Sequence, residues 1–263
     1  MRTRERQERI VRYIFDKGQA SVAELSQVFR VSPVTIRHDL NRLAELGRVV
    51  RVHGGARIAD ERTRQELTFA TRRRLNAAAK QRIGELAATL IRPVDSILLD
   101  ASTTAVAVAQ AIKRNPDLRD ITVVTTGIWT ALELLGTRDV HVVLTGGYVR
   151  NTTGSITGVV TQQVLESFHI QKAFLGAWGL SLDEGLTDTH LAEVELKQAV
   201  LGRAQEVVAV LDGTKFGRLG LASFATLDQI DCLVTDGSAP GEMVEALRAR
   251  GIQVLVADGG GEP

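Results

Sequence analysis

The chain of 263 residues is short of the groups that most reaction chemistry needs. Cys232 is its single cysteine, which excludes an intrachain disulfide and suits a reducing compartment. No apolar run reaches the roughly 20 residues of a membrane span. The opening MRTRERQERI has no apolar leader segment, so the cytoplasm is the expected location and no membrane partner is expected. Five histidines, His38, His53, His141, His169 and His190, are dispersed along the chain and predict no metal site. A Walker loop and a G-x-G-x-x-G run are missing, and GSITG at 154–158 has the wrong spacing for G-x-S-x-G. No cofactor is implied. Short-period repeats and low-complexity tracts are also absent, apart from a GGGEP tail.

What is present is a division of charge. Residues 1–82 hold 19 Lys/Arg against 9 Asp/Glu, a balance of +10, while residues 83–263 hold 13 against 22, or −9. A basic head on an acidic body points to a polyanionic partner for the head. The bland alternative is a set of solvated basic helices.

In the head, Ile10, Val11, Ile14 and Phe15 give a first helix an apolar stripe. Ser21 with Glu24 three residues later reads as a capping box for a second, short helix presenting Val22, Leu25 and Phe29, with a turn at Arg30-Val31. A third helix starts at Ser32-Pro33, an N-cap followed by a residue suited to the first helical position. Ile36, Leu40, Leu43 and nearby Leu46 share one face, and Gly47 is placed to stop it. Val34, Arg37, His38 and Asn41 share the opposite face. An alternating strand, Val49–Val52, follows, with Arg48, Arg51 and His53 expected outward. Helix, helix, turn, helix, ribbon is the order of a winged helix-turn-helix, whose second motif helix enters the major groove. Arg37 is suited to a guanine edge or a phosphate and Asn41 to adenine. Ser32 and Thr35 are placed for phosphate, and Arg51 and His53 for the backbone or the minor groove.

The resulting division is a head over 1–58, a linker over 59–79 and an α/β body over 80–263. The joint reads as a linker, helical toward its end. Its Arg72, Arg73 and Arg74 are a solvated run, with a DNA or subunit contact as the sharper alternative.

In the body, strands are expected at Ser96–Leu99, Ile121–Val124, His141–Leu144, Lys172–Leu175, Val207–Leu211, Cys232–Val234 and Gln253–Val256. Helices are expected at Thr103–Ile112, Ile128–Leu135, Val159–Phe168, Ala192–Ala204 and Gly241–Arg250. Apolar strands alternating with helices predict a mostly parallel sheet with helices on both faces. The strands run out into DASTT, TTG, TGG, GAWG, DGTK and TDG, small and hydroxyl residues at the carboxyl ends where such sheets bind ligands. Ser102, Thr103 and Thr104 open a helix whose first amides suit a phosphate. Gly146 and Gly147 permit close approach of backbone to a ligand. Arg150 and Lys215 are cations near these ends. Ordinary turn chemistry explains any one such loop, but six on one edge point to a ligand site.

The run from Ser21 to Ala56, SVAELSQVFRVSPVTIRHDLNRLAELGRVVRVHGGA, resembles the DNA-binding domain of the DeoR family of bacterial transcriptional regulators. His38 stands where that family usually has a second arginine. The body is similar to the family's sensor domain through Lys80, D-x-x-T-T at Asp100–Thr104, Thr125–Gly127, Gly146-Gly147, F-L-G at Phe174–Gly176, E-x-E-x-K at Glu193–Lys197 and D-x-x-K-F-G at Asp212–Gly217. Ser102 replaces a usual glycine, and Thr126 a frequent asparagine. The resemblance implies a fold shared with ribose-5-phosphate isomerases and an effector that is a phosphorylated sugar or polyol. Its expected contacts are Lys80, Asp100, Ser102, Thr103, Thr104, Thr125, Thr126, Gly127, Gly146, Gly147, Arg150, Trp178, Glu193 and Lys215.

The rival reading is a sugar-phosphate isomerase with a basic appendage. Such isomerases carry a D-G-A-D-E-type loop whose carboxylates move a proton between carbons, and a general base must reach the carbon acid. This chain has LGAWG at the comparable strand end, with no acid until Asp183. The expectation is therefore a regulator without catalytic residues, a repressor of carbohydrate genes that binds operator DNA as a dimer or tetramer.

Overall fold

A computed structural model of the chain describes residues 3–45, 48–58 and 69–257. Leu46 and Gly47, the stretch 59–68 of the expected linker, the GGGEP tail and the side chain of Phe15 lie outside the described residues. The chain forms two compact units, Met1–Leu75 and Asn76–Pro263.

The first unit contains α1 (Thr3–Lys17), β1 (Gln19–Ser21), α2 (Val22–Phe29), α3 (Pro33–Glu45), β2 (Val49–Val52), β3 (Gly55–Ile58) and α4 (Phe69–Arg74). Ser21 caps α2, its hydroxyl accepting the Glu24 amide at 3.1 Å. Arg30 takes a left-handed conformation that ends the helix (φ 52°). Ser32 starts α3 by accepting the Thr35 amide at 3.1 Å. Ile10, Ile14, Leu25, Ile36, Leu40, Leu43 and Val49 then meet in one buried cluster. Burying each of these large side chains stabilises the unit by about 1.5–3 kcal/mol. The ribbon has a third strand, since β1 pairs antiparallel with β3, giving the order β1-β3-β2.

The second unit runs α5 (Ala77–Ala88), β4 (Ser96–Leu99), α6 (Thr103–Arg114), β5 (Ile121–Thr125), α7 (Ile128–Leu134), β6 (Val140–Leu144), β7 (Tyr148–Val149), β8 (Ile156–Thr157), α8 (Val159–Glu166), β9 (Ile170–Leu175), β10 (Gly179–Ser181), β11 (Gly185–Asp188), α9 (Leu191–Leu201), β12 (Ala204–Val210), β13 (Ala222–Ala225), β14 (Cys232–Asp236), α10 (Gly241–Ala249) and β15 (Gln253–Ala257). Seven strands form a wholly parallel sheet in the order β15-β14-β12-β9-β4-β5-β6. Alternate residues face opposite ways, so Leu98, Ala173, Leu175 and Ala209 join α9 and α10 in one core. Ile97, Leu99, Phe174, Val208 and Val210 join α5, α6 and Leu134 of α7 in the other. Helices α5 and α6 cross closely at Gly84, where an added Cβ would lie 2.5 Å from the Ala107 carbonyl.

Two helices stop two or more residues short of the sequence expectation. The helix at Ala192–Ala204 stops at Leu201, with Gly202 as its cap, and Ala204 opens β12 opposite Ile170. The helix at Val159–Phe168 stops at Glu166. The sequence reading also missed the small antiparallel sheet β10-β11-β13 and the hairpin β7-β8. Among the described residues no helix is long and apolar enough to cross a membrane. Cys232 is buried, and burial, with Glu206 and Asp231 nearby, pushes its thiol up to about 12, which keeps it protonated and unreactive.

Candidate functional site

The α3 helix of the first unit has one face in the core and one in solvent. Val34 is 70% exposed, and Arg37, His38 and Asn41 are exposed beside it. Ser32 Oγ lies 2.9 Å from Thr35 Oγ1, so both hydroxyls sit at the helix start. Between the exposed positions, Asp39 turns inward and is fully buried. It accepts from Arg6 Nε at 2.6 Å and from Gln7 Nε2 at 2.9 Å, locking α3 to α1. That role was invisible in the sequence, because its partners lie more than thirty positions away.

On the ribbon, His53 is exposed at the turn, as is Arg48 before β2. Arg51 departs from the expected outward position. It is half-buried, and its Nη1 donates to the Gly55 carbonyl at 2.9 Å, because the hairpin turns back two residues later and brings that oxygen within reach.

In the second unit the parallel sheet carries every strand's carboxyl end to one edge. The chain runs outward from β4 to β5 and β6, then returns to β9 and runs the other way through β12, β14 and β15. The order reverses between β4 and β9, the switch point where open parallel sheets form a crevice. Asp100 follows β4 there, and Gly176 follows β9. Asp100 Oδ1 accepts the Ser102 amide at 2.9 Å, and Oδ2 accepts the Gly176 amide at 2.8 Å. Gly176 has no room for a side chain, since a Cβ would lie 2.5 Å from Ser102 Cβ.

Lys197 of α9 lies under this junction, buried. It donates to Gly176 O at 2.7 Å and to Asp188 Oδ2 at 2.8 Å, and lies 3.6 Å from Asp100 Oδ2. Burial alone would lower its pKa. The charges of Asp188, Asp100 and Glu193 outweigh that and raise it above the ordinary lysine value. Burial pushes the Asp100 carboxyl up, against the pull of Lys197 and of the hydrogen bonds from Ser102 and Gly176. The sequence reading noted Lys197 within E-x-E-x-K but did not place it at the site.

The remaining expected residues divide into engaged and presented groups. Ser102 Oγ caps α6 through the Ala105 amide at 3.0 Å. Thr103 and Thr104 follow as the first helical residues, whose amides have no intrahelical acceptor. Thr125 is buried, donating to Leu99 O at 2.7 Å and accepting the Gly127 amide at 3.1 Å. The Thr126 carbonyl accepts from Ile156 N at 2.7 Å. Gly146 is open at φ 72°, whereas Gly147 is packed against Thr161 Oγ1 and the Thr157 carbonyl.

Arg150 and Glu193 are joined at 2.7 Å, and Ser155 Oγ also donates to Glu193 at 2.5 Å. Lys80, buried, lies one turn beyond Asn76, whose Nδ2 donates to Asp212 Oδ1 at 3.1 Å on the β12 side of the edge. Trp178 Nε1 is buried without a hydrogen-bond partner. The Lys215 ammonium lies 5.5 Å from the centre of the Trp178 ring. Among the described residues no three His, Cys, Asp or Glu converge on a metal position.

Known proteins agree with this two-part organisation. Residues 6–62 match the DeoR-like helix-turn-helix domain, and residues 75–237 match the DeoR C terminal sensor domain. The chain is 35% identical to the HTH-type transcriptional regulator GolR of Listeria innocua, over 97% of this chain and 98% of that protein. It is 30% identical to the glycerol-3-phosphate regulon repressor of Escherichia coli, over 97% of this chain and 99% of the relative. Among solved structures, the ribose 5-phosphate isomerase of Methanocaldococcus jannaschii covers 54% of this chain and 55% of its own at a TM-score of 0.39 and 16% identity. That last likeness carries no argument about activity. The two domain matches and the full-length relatives settle the family: this chain is a member of the DeoR family of transcriptional regulators.

Proposed function

We propose that the protein is a repressor of carbohydrate-metabolism genes, released from or held on its operator by a phosphorylated sugar or polyol bound at the carboxyl edge of the sensor sheet. The observation that carries the DNA-binding half is the exposed face of α3, where Val34, Arg37, His38 and Asn41 stand clear of a helix whose other face is buried. Those residue types read base edges in a major groove, with Ser32 and Thr35 at phosphates. A dimer or tetramer presents paired heads to half-sites about one helical turn, or a multiple, apart.

The sensing half rests on the DASTT and DGTK loops at one sheet edge. The first-turn amides and positive dipole end of α6 suit a phosphate, and Lys215 supplies a cation. An isomerase needs a carboxylate within reach of substrate carbon. Asp100 already accepts two backbone amides and faces Lys197, and Trp178 occupies the comparable loop, which favours sensing over catalysis.

The test uses the full chain and DNA fragments from upstream of its own gene and neighbouring carbohydrate genes. Specific binding in a fluorescence-anisotropy titration, altered by one member of a panel of phosphorylated sugars and polyols, is the expected result. Absence of sequence preference on every fragment overturns the regulator reading. Turnover of a pentose phosphate at enzymatic rates overturns the sensor reading.

A further inference from the structure

The carboxylates at the sensor edge are all engaged by the protein itself. Asp100 accepts from Ser102 N and Gly176 N. Asp188 accepts from Lys197 Nζ and Thr189 N, and Glu193 from Arg150 and Ser155. Asp212 accepts from Thr214 and Asn76, and Asp236 from Gly213 N and Ser238 N. Beside them, at the β9 and β12 ends, lie an indole donor and a lysine. The Trp178 indole N–H is buried and unpaired, and the Lys215 ammonium rides over the same ring. A buried N–H without a partner is destabilising, and such groups are few in folded proteins, so its partner is to be sought in a ligand. An indole N–H donates only and cannot accept from a hydroxyl.

From this arrangement we infer that Trp178 selects the effector class: a phosphorylated sugar acid, whose carboxylate accepts from Trp178 Nε1 beside Lys215, in preference to the alditol phosphate of the same carbon skeleton. The inference rests on the proposed sensor site and names what that site takes. The phosphate goes to the first turn of α6, on the β4 side of the switch point, and the carboxylate to the β9 and β12 side. An alditol offers a hydroxyl there, which accepts one hydrogen bond weakly and brings no charge to Lys215. A hydrogen bond to a carboxylate is roughly twice as strong as one to a neutral hydroxyl, and that difference is the basis of the discrimination.

The experiment is calorimetric titration of the full-length protein with matched pairs of four, five and six carbons, for example phosphoerythronate against erythritol phosphate and phosphogluconate against glucitol phosphate. For the pair whose length fits, the acid binds at least tenfold more tightly. In Trp178→Phe, which keeps a ring under Lys215 but loses the N–H, that ratio falls toward one. In Trp178→Asp, which offers acceptors, it inverts. Equal affinities in the wild type, or a ratio retained in Trp178→Phe, overturns the inference while leaving the site standing. No binding by any phosphorylated compound overturns the sensor site and the inference together.

A second readout does not depend on altering Trp178. The chain has two tryptophans, so Trp129→Phe leaves Trp178 as the sole indole. Saturation with the acid then shifts or quenches its emission, and unchanged emission at saturation removes Trp178 from the contact.

Discussion

Asp39 lies between the exposed Arg37-His38 pair and Asn41, yet its carboxylate is 1% exposed and faces Arg6, which is 12% exposed. The three neighbours meet solvent while Asp39 holds the helix in place. Asp39→Ala strands the Arg6 guanidinium, and should lower the stability of the head by about 2–3 kcal/mol. That is less than the ~3–5 kcal/mol of a fully buried pair, because Arg6 keeps some water. Thermal unfolding followed by circular dichroism measures it, and an unchanged midpoint would show the pair to be dispensable. Arg37→Ala should leave that midpoint unmoved and weaken specific DNA binding by roughly 1–3 kcal/mol. His38→Arg should change which operator bases are preferred more than it changes overall affinity. A competition among single-base operator variants reads this directly, and an unaltered base preference would remove His38 from the readers.

Elements are joined by contacts that titrate. Glu24 of α2 accepts from Lys17 Nζ at 2.7 Å and from Tyr13 OH at 2.8 Å, both on α1. The bonds from Lys17 and Tyr13 hold the Glu24 carboxyl below its ordinary range. A depressed folded pKa adds stability above the unfolded value, near 4.3, and loses it as pH falls through the folded one. Wild type and Glu24→Gln should therefore differ in melting temperature at neutral pH and converge in acid. A gap that is constant with pH would show that the bond acts without its charge. At the sheet edge, Gly176→Ala forces a methyl against Ser102, the cap of α6. Overpacking of this kind costs about 1–3 kcal/mol. Which elements the sequence disclosed follows from the same physics. The seven sheet strands are apolar runs and declared themselves, and parallelism then placed their loops on one edge. β1, β7, β8 and β10 have two or three residues and no alternation, so only their tertiary pairing defines them. The side chains engaged within the site were equally hidden. Arg150 meets Glu193 from 43 positions away, and Asp100 meets Gly176 from 76.

At the scale of the whole chain, the division of charge separates the two jobs. The +10 of residues 1–82 should give DNA affinity that falls steeply with salt, since neutralised phosphates release counterions. The −9 of the remainder discourages that surface from competing for the same polyanion. The proposed effector response, by contrast, rests on a few residues in the second unit, and only an effector that binds two arrangements of the protein unequally can shift DNA affinity. Thr103 opens α6 where a phosphate would meet the helix amides, and Lys215 lies at the β12 end of the same edge. Replacing both by alanine leaves the exposed face of α3 intact. The double variant should bind operator as the wild type does in the absence of effector, and should stay bound when effector is added. Anisotropy titrations with and without the sugar phosphate measure both quantities on one sample. A double variant that still responds at wild-type effector concentrations would place the sensing site elsewhere in the second unit. One that loses DNA affinity without effector would mean that the two residues support the DNA-binding form itself.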